Sequence, residues 1–75
     1  MINSMEYKSE MDTRLAALII AEVADKNLPI HVQVGFPYES ENGNKVSSVI
    51  LEYADSYNEN VSALITEKIN CIAKI

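Results

Sequence analysis

The chain has one cysteine, Cys71, one histidine, His31, no tryptophan, and only two glycines and two prolines in 75 residues. A lone cysteine forms no intrachain disulfide, and one Cys with one His falls short of the four donors of a structural zinc site. Gly35 and Gly43 stand apart, so there is no glycine-rich phosphate loop; neither a helical histidine pair nor a calcium-loop spacing is present. No cofactor is expected. Basic side chains are scarce as well: six against eleven acidic ones give a formal charge of −5. That sign repels a phosphate backbone and disfavours direct nucleic-acid binding, while it speeds encounter with basic protein surfaces. The longest apolar run, Leu15 to Ala21, is closed off by Arg14 and Glu22, well below the roughly 20 residues that cross a bilayer. The first residues carry acids where a secretory signal has a basic start and an apolar core. With a single cysteine besides, a cytoplasmic location and no membrane partner are expected.

What is present suits one small folded domain. An apolar fraction of 48% with 23% charged residues is a globular composition. A domain of this size buries only about 60% of its unfolded surface, so its margin is thin. Disulfide and metal being absent, oligomerisation is the remaining reinforcement.

Along the chain, residues 1 to 8 read as a tail, with a short edge strand carrying Met5 and Tyr7 on one face as the alternative. Ser9 with Asp12 resembles a capping box, and Met11, Leu15, Leu18, Ile19 and Glu22 then recur at helical spacing until Asn27 and Leu28-Pro29 stop the helix. Nine of the ten residues from Leu15 to Ala24 are apolar. A helix apolar nearly all round is normally covered on more than one side. Ile30, Val32, Val34 and Phe36 alternate with polar residues and glycine as in a half-buried strand, ended by Pro37. A second strand over Val46 to Tyr53 puts Val49, Leu51 and Tyr53 on one face. Asn42-Gly43 between them signals a tight hairpin. Ser56 and Glu59 have capping-box spacing, and Tyr57, Val61, Leu64, Ile65, Lys68, Ile72 and Ile75 share one face of a final helix. The fold class is therefore α+β, helix-strand-strand-helix in one domain spanning residues 1 to 75. The hairpin packs against two helices and is completed by homodimerisation into a four-stranded sheet, because a lone two-stranded sheet is marginal in water. A monomer in which residues 1 to 8 add a third strand is the competing arrangement. The dimer contact is expected on the first helix and its partner: Leu15, Ile19, Ile20, Glu22, Val23 and Lys68.

Chemistry has few candidates. His31 is expected in solvent on a polar strand face, and Cys71 is expected to be buried beside the apolar stripe of the last helix. Neither has the company that nucleophilic catalysis requires, so no enzymatic activity is expected. Glu22 and Lys68 each fall in the apolar stripe of their own helix, where a charge must be paired or reach the rim. Their long stems are expected to reach the rim of the core; the alternative is that they meet between helices, within a chain or across a dimer, and fix register.

Glu39, Glu41, Glu52, Asp55 and Glu59 are opposed only by Lys45 between positions 39 and 59, and Tyr38, Tyr53 and Tyr57 interleave with them. Tyrosine beside charge suits a docking surface for a protein with a basic face; Tyr38 and Tyr57 are the expected partner-binding rings, and Tyr53 suits the core. In bulk character, its acidity, its shortness and that acidic run, the chain resembles small phage-encoded inhibitors of bacterial defence, the anti-CRISPR proteins among them. The likeness is to a class diverse in fold and carries no residue across. It implies an inhibitor or regulator, acting in the host cytoplasm if phage-encoded, that occupies a basic nucleic-acid-binding surface or an assembly interface. The other function expected of such a chain is a structural subunit that acts only through homo-oligomerisation.

Overall fold

In the computed structural model, which describes residues 3–74, the first element is a strand. β1 (Ser4–Asp12) is followed by α1 (Thr13–Lys26), β2 (Ile30–Val34), the short β3 (Tyr38–Glu39), β4 (Lys45–Ala54), a 3-10 turn (Asp55–Tyr57) and α2 (Asn58–Ala73). The fold is α+β, with an antiparallel four-stranded sheet and two helices. No helix of the described residues is long and apolar enough to cross a membrane.

β1 replaces the tail expected over residues 1 to 8, of which Met1 and Ile2 lie outside the described residues. It pairs with β4 without interruption from Ser4–Ala54 to Asp12–Val46. That ladder also overrides the helix start expected at Ser9: strand pairing holds the backbone extended through Met11, and the helix begins only where Asp12 can cap it. The Asp12 carboxylate accepts from the Arg14 backbone N–H at 2.8 Å and from the Arg14 guanidinium at 2.8 and 3.1 Å. This fork, together with the backbone bond, lowers the Asp12 pKa to about 2. α1 ends as expected: Asn27 takes the left-handed conformation, φ 50°, and its N–H bonds the Val23 carbonyl. The capping box expected at Ser56–Glu59 does not form. A 3-10 turn occupies that stretch, α2 has no side-chain cap, and the Tyr53 hydroxyl instead donates to Asn58 Oδ1 at 2.9 Å, tying the end of β4 to the start of α2.

β4 is the central strand, with β1 on one side and β2 and β3 on the other. Between the Gly35–Ser48 bond and the Tyr38–Val46 pair the chain has Phe36 and Pro37 on one strand but only Ser47 on the other, a β-bulge. Proline explains it, since Pro37 offers no N–H to the ladder and holds Phe36 extended. Beyond the bulge the hairpin closes on Glu41, Asn42 and Gly43: the Gly43 N–H donates to Ser40 and the Ser40 N–H to Asn44, at 2.9 and 2.8 Å. Only Gly43 of the turn has positive φ, 80°. The turn is therefore a three-residue loop ending in a left-handed glycine, not the two-residue form that places both Asn42 and Gly43 there.

Only one face of the sheet is covered. Val49, Leu51 and Tyr53 of β4, Met11 of β1 and Ile30 of β2 pack under Leu15, Ala16 and Ile19 of α1 and Val61, Leu64 and Ile65 of α2. Tyr7, Val32, Tyr57 and Ile72 border this core. The sheet's other face is open and mostly polar: Glu6, Lys8, Glu10, Ser48, Glu52 and His31 are exposed there, the one-sided pattern of antiparallel sheets.

Candidate interaction surface

The β2–β4 arm carries the most exposed large apolar side chain among the described residues. Expected on the buried face of its strand, Phe36 is instead 96% exposed, and Val34 and Tyr38 beside it are exposed as well. The alternation breaks at Pro37: the bulge lifts Phe36 out of the period-two pattern that would have turned it inward. Next to it Glu10, Tyr38, Glu39, Ser40, Glu41 and Asn42 line a shallow depression of about 450 Å³. Glu10 comes from β1 and reaches Tyr38 across the small Ser48, with which it pairs in register. The neighbouring Glu10 carboxylate holds the Tyr38 phenol's pKa above its ordinary value, and desolvation acts in the same direction. Three carboxylates thus surround one tyrosine at the tip of the arm. Glu10 was not visible as a member of this group from the sequence, because only the β1–β4 register brings it there.

The other acidic residues are elsewhere. β4 has ten residues and spans roughly 30 Å at about 3.3 Å per residue, so the tip, with Glu39 and Glu41, lies a full strand length from Asp55 and Glu59. Glu52 sits midway on the open face. The sequence run is therefore two separate groups, and Tyr57, half-buried against the core, belongs with the far one.

Of the residues expected at a dimer contact, Leu15 and Ile19 are 8% and 0% exposed. The chain's own core covers them and they are not available to a partner. Val23 is half-buried, and Ile20, at 41% exposure, faces solvent beside Ala17, Ala21 and Ala24. Cys71 is exposed, contrary to its expected burial, because α2 turns it away from Val61, Leu64 and Ile65. His31 is exposed as expected. It stands on the open face, opposite Glu52 in register, so the sheet separates it from α2 and its thiol. Glu6 pairs with Glu52 in the same row, yet among the described residues no three such side chains converge as metal ligands.

Glu22 and Lys68 do meet, and they do so within the chain. Lys68 Nζ donates to Glu22 Oε1 at 3.2 Å, and Lys26 Nζ approaches Glu22 Oε2 at 2.7 Å. The pair joins α1 to α2 with side chains only 13% and 17% exposed. Hydrogen bonds from Lys26 first and Lys68 second lower the Glu22 pKa, and Glu22 raises that of Lys68. Lys68 Nζ also lies 3.6 Å from the exposed Glu67 carboxylate. Glu22→Leu is expected to lower the melting temperature more than Lys68→Leu, since it leaves the largely buried ammonium only that longer, solvent-facing contact, while Lys68→Leu leaves Glu22 its 2.7 Å partner Lys26. The double replacement should recover most of the loss. Thermal melts of the three variants check this ordering; an innocuous Glu22→Leu would show the bridge contributes nothing.

Compared with protein-family models, curated proteins and solved structures, the chain matches none of them.

Proposed function

We propose that this chain is a non-catalytic protein-binding module, an inhibitor or regulator, that docks the tip of its β2–β4 arm on a basic surface of a partner protein. The observation that carries this reading is the full exposure of Phe36 on a bulge beside Tyr38, Glu10, Glu39 and Glu41. Leaving a phenylalanine in water forgoes roughly 1.5–3 kcal/mol of burial, and aromatic anchors with a charged rim are what binding hot spots favour. The carboxylates repel nucleic acid and attract lysine- and arginine-rich surfaces, such as those with which proteins hold nucleic acid or assemble on it. The far group, Asp55 and Glu59, is left out of the docking tip by its distance.

Phe36→Ala is expected to weaken partner binding about 30-fold, the effect of losing a hot spot of about 2 kcal/mol, with no loss of thermal stability. Glu39→Lys with Glu41→Lys should reduce binding further and flatten its dependence on salt. Capture from bacterial lysate by immobilised wild-type and variant chains, quantified by mass spectrometry, measures both. Equal recovery of the same proteins by all three would sink the docking tip.

The second reading, a structural subunit acting through self-association, is favoured by a different feature, the open outer edge of β1.

A further inference from the structure

We infer that two copies of this chain join along β1 about a two-fold axis through Tyr7, making one continuous sheet in which Glu6 of each copy faces Lys8 of the other. This interface rests on the β1 edge, across β4 from Phe36 and Tyr38; it shares only Glu10 with the docking tip, and none of the variants below alters Glu10.

The two edges of the sheet differ. β2 is five residues long and is bracketed by Pro29 and by the bulge at Pro37, devices that blunt an edge against further pairing. β1 has nine residues in unbroken register, with no proline, glycine or bulge. The bond from the Asp55 N–H to the Asn3 carbonyl, 2.8 Å, sets the phase of its ladder. Odd-numbered residues turn their backbone groups toward β4, and Ser4, Glu6, Lys8 and Glu10 turn theirs outward. Those outward groups have no backbone partner among the described residues.

Side-chain charge selects the register. Antiparallel strands pair like face with like face, so a two-fold axis must pass through a residue paired with its own copy. An axis at Lys8 sets Lys8 against the partner's Lys8 and Glu6 against the partner's Glu10. An axis at Glu6 sets Glu6 on itself, and one at Ser9 offsets its two Lys8–Glu10 pairs by setting Glu6 on the partner's Asp12 twice. Like charges directly opposite are unfavourable. Only the axis at Tyr7 places Glu6 opposite the partner's Lys8 twice and Glu10 opposite the partner's Ser4. Glu6 and Lys8 already stand 3.3 Å apart within one chain, so the four charges alternate in sign around the axis. The same register hydrogen-bonds the even residues, whose groups are free. It makes Tyr7, half-buried at the core margin, the non-hydrogen-bonded pair on the axis, ring to ring under the helices, with the exposed Met5 flanking it.

Sedimentation equilibrium over a concentration series tests the inference. The wild-type chain should dimerise, and Glu6→Lys or Lys8→Glu alone should weaken dimerisation at least about tenfold, since each turns two attractive pairs repulsive. The exchange Glu6→Lys with Lys8→Glu should restore it. In a Cys71→Ser background, Tyr7→Cys should form an interchain disulfide on mild oxidation, because a non-hydrogen-bonded pair holds its Cα atoms about 4.5 Å apart, and Ser9→Cys should not. A wild-type chain that stays monomeric to millimolar concentration, an exchange variant as weak as the single ones, or cross-linking at Ser9 in place of Tyr7 would overturn it.

Discussion

A chain that begins at Ser9 is expected to lose its cooperative fold. Five of the nine residue pairs between β1 and β4, Ser4–Ala54 to Lys8–Ile50, disappear with the deleted residues, and so does the Asn3–Asp55 bond. Each backbone hydrogen bond contributes about 1 kcal/mol net, and the lost ring of Tyr7 uncovers the edge of the core at Leu51. Together these losses are comparable with the roughly 5 kcal/mol at the lower end of domain stabilities, where a chain of this size belongs. Circular dichroism should show an unfolded spectrum with no sigmoidal melt. A transition within a few degrees of the full-length chain would mean that β1 is dispensable.

The second large effect is expected at Ile19, which is wholly buried between the helices and the sheet. Ile19→Ala should cost about 2–5 kcal/mol through lost transfer energy and the cavity left behind, lowering the melting temperature by roughly 10 °C or more. One residue along, Ile20 is 41% exposed, and Ile20→Ala should stay within about 0.5 kcal/mol. Urea denaturation of both variants measures the contrast. Equal effects would mean that α1 does not present the face described, or that Ile20 is covered by another molecule.

That contrast bears on what could be read in advance. The periodicities of α1, β4 and α2 are unambiguous because each has enough residues to repeat its period, and Val49, Leu51, Tyr53, Val61, Leu64 and Ile65 occupy the core as their spacing requires. The cross-helix meeting of Glu22 and Lys68 was legible only as one of two outcomes, since a charge within an apolar stripe either reaches the rim or takes an opposite charge nearby. β1 was also written in the chain, in the alternation of Met5, Tyr7 and Met11 with Glu6, Lys8, Glu10 and Asp12. Its signal was masked by Ser9 at the position a core residue should fill and by the resemblance of Ser9 and Asp12 to a helix cap.

The candidate surface was less legible, because it depends on register. Nothing local to Glu10 announces that it lies across Ser48 from Tyr38, and a one-residue bulge at Phe36 and Pro37 reverses what alternation implies for Phe36. The acidic run looked continuous because Glu39 and Glu59 are only twenty positions apart in the sequence. The rigid length of β4 separates them. Nor did the number of apolar residues in α1 reveal that alanines 17, 21 and 24 would make up most of its outer side, leaving little there to seal against a second molecule.

The placement of β4 also bears on how the chain acquires its structure. The strand on which both edges are templated leaves the ribosome after both of them, and Ser4 must wait for Ala54, fifty residues later. Until then β1 and β2 have no neighbour to bond, and α1 has no sheet to cover. Such long-range closure makes folding slow for so short a chain. Nascent molecules therefore pass through a stage with an unsatisfied, partly apolar first half, when a chaperone or a neighbouring nascent copy has its best opportunity to bind.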